Sequence, residues 1–258
     1  MTHAHFHLPA HAWGEGELRL TGDEARHCAQ VTRHQAGDQV VVFDGAGRKA
    51  RARIEALDKA EVRLAVLEVQ HVPPPTHPVT LVQAVTKGDS FEWILEKAVE
   101  LGAQRLVPVI TERTIVRLDS REAAKKHLKW QRVVLEACKQ CGQPWLPEVV
   151  MPCNLETALD RAGGAALRLA ASLHPQALPL RSLLLGPLSA GDGYAVIIGP
   201  EGDFTSRELE MLTARGWREW SLGPLVLRSE TAAICALSIL GYETLSSPSP
   251  PANVPGNQ

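Results

Sequence analysis

The sequence predicts an α/β protein in two parts: a small β-barrel, then a mostly parallel sheet with helices on both faces. Three observations carry that expectation. Up to His71 the apolar residues recur at alternate positions in short runs, the period of half-buried strands. HVPPPTHP, residues 71–78, then sets consecutive prolines, which continue neither a helix nor a central strand. Beyond it, apolar runs alternate with capped helical segments, the order of a parallel sheet with crossover helices. The expected divisions are a barrel over 1–72, an α/β domain over 78–245 and a polar, proline-rich tail over 246–258.

In the first part, DQVVVFDG, RKARARIEAL and AEVRLAVLEV read as consecutive strands joined at Asp-Gly and Asp-Lys turns. GDEARHCAQV reads as one short helix opened by Asp23. A barrel of about 70 residues is a common size for an RNA-binding appendage. In the second part PVTLVQAV is a buried strand. Asp89 and Glu92 form a capping box for SFEWILEKAVEL, which Gly102 closes. RLVPVIT is the next strand, and a basic helix runs from about Arg121 to Gln140. GGAALRLAASL and YAVII supply two more strands. Thr205 with Glu208 caps SRELEMLTAR until Gly216, and EWSLG is a last short strand. Ser229 then caps the apolar helix ETAAICALSILGYETL.

A chain of 258 residues can bury one large core or two modest ones. No apolar run approaches the roughly 20 residues that span a bilayer. The opening MTHAHFHLPAHAWGEGE lacks the cationic and apolar regions of a secretory signal. Five cysteines, odd in number and irregular in spacing, argue for a reducing compartment. A cytoplasmic protein without a membrane partner is the expectation. The net charge of −2 is unevenly spread: between Arg113 and Lys139, eight Lys and Arg face three acids. Such a patch suits RNA phosphates, although on charge alone a solvated helix face is favoured.

Three lookalikes are set aside. GAGRKA, residues 45–50, fits a dinucleotide fingerprint, but the alternation in KARARIEAL asks for a hairpin turn, not a helix. Cys138 and Cys141 form a C-x-x-C with no second pair to complete a zinc set, and they end a helix. Both read as incidental thiols. HAHFH, residues 3–7, reads equally as a flexible start or a metal site.

Ligands collect at the carboxyl ends of parallel strands. There lie Leu173 and His174, then Gly199 to Asp203, then Gly223 to Arg228. Gly199 and Gly202 let the backbone approach a ligand closely. Glu201 and Asp203 repel polyphosphate, yet carboxylates accept hydrogen bonds from ribose hydroxyls and tolerate a cation. S-adenosylmethionine, an adenosine with a sulfonium and no phosphate, meets those demands. The alternative is that Glu201 only balances a helix N-terminus. In SLGPLVLRSETA, Gly223-Pro224 forces a turn and LVL offers adenine an apolar edge. Arg228, just before Ser229, opposes the dipole of its own helix. That placement costs stability unless an anion is near or Glu201 pairs with it.

IIGPEGDFTSRELEML with LGPLVLRSETAAICAL resembles the paired C-terminal motifs of the bacterial small-subunit (16S) ribosomal RNA uridine-N3 methyltransferases, members of the knotted SPOUT superfamily. The likeness runs over nearly the whole chain. RHCAQVTRHQAGDQVVVFDGAG is similar to the family's N-terminal PUA-like barrel, and TKGDSFEWILEKAVELGAQRLVPVITERT to its first strand–helix–strand unit. KWQRVVLEACKQCGQPWLPEV resembles the helix and turn that follow.

The resemblance implies a SPOUT domain with a trefoil knot, a homodimer, and a bent S-adenosylmethionine held mainly by backbone groups. The residues implied for the cofactor are Leu173, His174, Ile198, Gly199, Pro200, Glu201, Gly202, Leu222, Gly223, Leu225 and Leu227. The product is S-adenosylhomocysteine, and no metal is implied. Small-subunit rRNA, free or in the assembled subunit, is the implied partner, contacted by Arg33, Lys87, Arg113 and Arg132. Two departures remove positive charge: His5 stands near the first strand where an arginine is usual, and Cys141-Gly142-Gln143 replaces Ser-Gly-Arg.

Methyl transfer requires the accepting nitrogen in line with the donor bond. Arg228 is the residue expected to stabilise charge on a uracil oxygen, with Glu201 or water taking the N3 proton. The target base must be unpaired or extruded. An RNA-binding assembly factor, or a knotted methyltransferase acting on tRNA or large-subunit rRNA, are the competing readings.

Overall fold

The computed structural model describes residues 3–14, 16–58, 60–162, 164–184, 189 and 191–246. Apart from Ser246, the expected tail lies outside them. Five strands form the first sheet: β1 (His5–His7), β2 (Glu17–Thr21), β3 (Gln39–Phe43), β4 (Arg48–Leu57) and β5 (Glu61–His71). Their order is β1-β3-β4-β5-β2, with β1 parallel to β3 and the other pairs antiparallel. The β4–β5 register shifts at Arg51/Ala52 and Ile54/Ala56, and such bulges bend a strand and increase its twist. One face therefore wraps a core of Phe6, Leu18, Leu20, Val40, Val42, Ile54, Val62 and Leu64.

Two expectations fail in this sheet. HAHFH is neither flexible nor a metal site. His5–His7 is strand β1 with Phe6 fully buried, and no group of three metal-binding side chains occurs among the described residues. The helix α1 (Gly22–Arg26) starts one residue before Asp23, and its N-cap Thr21 makes no side-chain cap bond. It continues as a π-turn over His27–Val31.

The second sheet contains β6 (Val79–Ala84), β7 (Arg105–Ile110), β8 (Glu148–Val149), β9 (Cys153–Asn154), β10 (Leu167–Ala171), β11 (Tyr194–Ile198) and β12 (Arg218–Trp220). Every pairing is parallel, in the order β12-β10-β11-β6-β7-β8, with β9 also on β7. The helices are α2 (Ser90–Glu100), α3 (Ser120–Cys141), α4 (Leu155–Arg161), α5 (Leu180–Leu183), α6 (Ser206–Ala214) and α7 (Ser229–Ser246). Alternation along the strands feeds two cores. Leu81, Val196 and Ile198 pack with Ile94, Trp130 and Leu237 on one face. Val82, Ala195 and Ile197 pack with Leu155 and Leu212 on the other. Both faces are thus covered, as parallel sheets require.

Capping is where local sequence reading partly misleads. The box at Thr205–Glu208 is present, and an unexpected one forms at Asp119–Glu122. Asp89 makes no cap bond, because its own backbone is already helical (φ −89°, ψ −4°) and not extended as a cap requires, and the Glu92 carboxylate lies 2.6 Å from Lys129 Nζ. Gly102, at φ +81°, follows α2 as expected. The last strand ends at Trp220, before Ser221-Leu222-Gly223.

The two sheets meet across α3 and the loop after it. Gly47 N donates to Pro144 O at 3.1 Å, Leu146 N to Gly45 O at 2.9 Å, and the Trp145 indole to Val72 O and Pro73 O at 3.1 Å each. Gly47 has φ +92°, and a Cβ there would lie 2.5 Å from the Trp145 ring. The second glycine of GAGRKA therefore admits an indole. Lys139 is buried and bonds Glu24 at 2.8 Å and Glu136 at 2.6 Å. Burial pulls its ammonium down, but these two carboxylates outweigh that and raise it. His5 lies against Gly142, the middle residue of Cys141-Gly142-Gln143. Burial pushes the Cys138 thiol up to about 12 and raises Cys141 as well, so the fold does not activate either as a thiolate.

Candidate active site

A cavity of about 500 Å³ opens at the carboxyl edge of the second sheet. Its walls come from the segments after β6, β10, β11 and β12, together with the first turn of α7. Leu173, Ile198, Gly199, Pro200, Glu201, Leu222, Gly223, Leu225, Leu227 and Arg228 all line it. His174 and Gly202 do not. His174 turns back on its own segment, where its Nδ1 accepts from Gln176 N at 3.3 Å. Gly202 faces away, toward Arg113.

The acidic loop after β11 is built for rigidity. Asp203 N donates to Pro200 O at 2.9 Å, closing a turn, and Asp203 sits at φ +61°, where its carboxylate accepts from Phe204 N at 2.8 Å. At Gly199 a Cβ would come within 3.1 Å of the buried Phe204 ring. The segment after β7 braces the loop from outside. Arg113 Nη1 donates to Gly202 O at 2.8 Å and to Phe204 O at 3.4 Å, and Glu112 N donates to the buried Glu208 at 2.8 Å. Arg113, expected at RNA, is exposed and braces this loop from behind the cavity.

The loop after β12 offers different chemistry. Gly223 has φ +131°, and Leu225 and Val226 are 72% and 80% exposed at the cavity. The backbones of Leu222, Leu225 and Leu227 make no hydrogen bond among the described residues. Polar backbone without a partner is costly when a ligand removes its water, so these groups need one that bonds them. Charges of both signs line the space: Glu201, Asp203 and Glu230 against Lys87 and Arg228. Neither Arg228, Glu201 nor Lys87 makes an ion pair among the described residues. The possibility that Glu201 pairs with Arg228 is therefore not realised.

Ser229 does not cap its helix. Its hydroxyl donates to Gly199 O at 2.9 Å and accepts from Gln83 Nε2 at 2.9 Å. As α7 begins at Ser229, Arg228 is the residue directly before the helix, its carbonyl accepting from Ala232 N at 2.8 Å. Sequence reasoning missed Ser172 and Glu230 in the cavity wall and Gln83 behind it. The detectable signal was a glutamine in the strand run PVTLVQAV, whose remaining residues apart from Thr80 are apolar. It also put Lys87 on the RNA surface at large, whereas Lys87 stands at the cavity itself. Arg132 lines a separate groove on α3, and Arg33 is exposed just beyond the π-turn at φ +54°.

Comparison with known proteins agrees with this layout. Residues 73–241 match the model of an RNA methyltransferase domain, and residues 20–67 that of an RNA methyltransferase PUA domain. Ribosomal RNA small subunit methyltransferase E of Mycobacterium bovis is 35% identical over 230 residues, 87% of this chain and 86% of that protein. The Bacillus subtilis protein of the same name is 30% identical over 232 residues, 87% of this chain and 90% of its own length. Among solved structures, a Neisseria gonorrhoeae ribosomal RNA small subunit methyltransferase E bound to S-adenosyl methionine superposes with a TM-score of 0.82 at 29% identity. That match covers 93% of this chain and 98% of the other. A Legionella pneumophila protein in complex with the bound cofactor SAM gives 0.84 at 33% identity, covering 94% and 98%.

Proposed function

Because the chain belongs to the ribosomal RNA small subunit methyltransferase E family, we propose that it methylates N3 of a uridine in small-subunit ribosomal RNA, with S-adenosylmethionine as donor. The observation that carries this reading is the cavity itself: three strand-end loops, unbonded backbone and carboxylates around one space of about 500 Å³. The residues fit the donor. Leu225 and Val226 suit an adenine face, the backbones of Leu222, Leu225 and Leu227 suit its polar edge, and Glu201 suits ribose hydroxyls. The carboxylates of Glu201, Asp203 and Glu230 suit the donor's cation. When bound, S-adenosylmethionine supplies a methyl group on a positive sulfonium and leaves as S-adenosylhomocysteine.

The remaining work belongs to this chain. Uracil N3 carries a proton, so negative charge develops on the ring as that proton leaves. Arg228, without an ion pair among the described residues and directly preceding α7, stabilises that charge at a uracil oxygen, an oxyanion-type role. Glu201 takes the proton, directly or through water. Lys87, at the cavity and without an ion pair among the described residues, holds a phosphate of the target nucleotide, which must be unpaired to enter. Arg33 and Arg132 contact RNA farther out.

The same reading includes a threaded C-terminal segment, a division into barrel (1–72) and methyltransferase (78–245) domains, and a cytoplasmic homodimer acting on the assembled or nearly assembled subunit. No described helix is long and apolar enough to cross a membrane. The test is incubation with methyl-labelled donor and separate pools of unmodified small-subunit rRNA, assembled small subunits, large-subunit rRNA and tRNA, followed by nucleoside analysis. Label is expected in 3-methyluridine from the small-subunit pools. Label in another nucleoside or pool, or displacement of the donor by ATP, rejects the proposal.

A further inference from the structure

We infer that Gln83 and Ser229 act as a positioning relay that sets the acidic loop and Arg228 relative to each other. This rests on the methyltransferase reading above. Gln83 is 1% exposed in β6, paired in register with Ile198 of β11. Its amide nitrogen donates to Ala84 O at 3.0 Å and to Ser229 Oγ at 2.9 Å. A hydroxyl carries one proton, and with Gln83 donating to its oxygen, that proton goes to Gly199 O at 2.9 Å. The chain of bonds therefore has one polarity, from β6 through the start of α7 to the loop after β11.

Three consequences follow. The Gly199–Pro200 peptide, which has no N–H, is held by its carbonyl alone, and this orients the turn that carries Glu201. The first residue of α7 is tied down through its side chain, which fixes the exit direction of the adjacent Arg228. Finally, the Gln83 carbonyl oxygen is buried without a partner among the described residues. An amide held in an apolar strand with one end unsatisfied is costly for folding alone. A leucine would fill similar space without that cost, so the bonds that Gln83 makes are what distinguish it. Gln83 touches neither reactant in this scheme. Its effect passes through Gly199 and Ser229.

The experiment compares the full-length protein with Gln83→Leu, Ser229→Ala, the double variant and Ser229→Thr. It reads kcat, KM for unmodified small-subunit rRNA, donor Kd and the thermal melt. Each single change is expected to lower kcat about tenfold, the scale of coupling within one hydrogen-bond network, with RNA KM within about twofold. The double variant should be no worse than the poorer single, and Ser229→Thr should recover most of the Ser229→Ala loss. Wild-type kcat in either folded single variant overturns the relay, as do losses that multiply in the double. Should Gln83→Leu fail to fold, the Ser229→Ala and Ser229→Thr pair decides alone: equal losses in both reject the relay. An inactive wild type would instead remove the underlying functional reading.

Discussion

Replacing Arg113 by alanine separates two roles for one cation. The sequence puts this residue with the RNA contacts, whereas the fold aims its guanidinium at the carbonyls of Gly202 and Phe204. A hydrogen bond from a charged donor contributes about 1.5–3 kcal/mol. The bond at 2.8 Å qualifies, while the one at 3.4 Å is near the limit of useful length and adds little. Arg113 is exposed, so water replaces part of what is lost and the lower end applies, about 1.5 kcal/mol. If the freed loop must be re-ordered by the donor, affinity for S-adenosylmethionine falls about tenfold. Calorimetric titration measures that change, and steady-state kinetics supplies KM for small-subunit rRNA, which is expected to move less. Arg113→Lys keeps the charge but its shorter side chain reaches less far toward Gly202 O, so it should bind RNA normally and the donor less tightly. The opposite pattern, intact donor affinity with weakened RNA binding, refutes the bracing role and restores the RNA contact.

Arg228→Ala should reduce kcat about 100-fold while donor affinity is kept, the size of losing one oxyanion-stabilising group; an unchanged rate in a single-turnover assay excludes the role. Gly47→Ala forces a side chain into a left-handed conformation and into the Trp145 ring. Denaturant unfolding should register a loss of about 2–5 kcal/mol, with shifted tryptophan emission, and a neutral result would mean the indole is free to move. Burial holds the His5 and His7 imidazoles below their ordinary 6.5. The unfolded chain takes up those protons first, so stability is complete above about pH 6.5 and declines as the pH falls through the folded values. Melting temperatures from pH 7.5 to 5.5 test this, and a flat profile contradicts it.

The sequence by itself determined whatever is settled within a few residues. Alternation in RKARARIEAL, the capping box at Thr205–Glu208 and the glycine after α2 are local, since steric limits and short-range hydrogen bonds act along a few neighbouring peptides. The strand-end loops were legible for the same reason, because glycine and carboxylate placement is a matter of adjacent residues. Tertiary structure decided which partner each polar side chain took. Glu92 leaves its expected cap for Lys129 on another helix, Ser229 leaves its own helix for Gly199, and Arg113 reaches back to Gly202. His5–His7 becomes a strand only because β3 lies beside it. Such bonds form between groups that the folded chain brings within about 3 Å from tens of positions apart, and no local pattern encodes that distance.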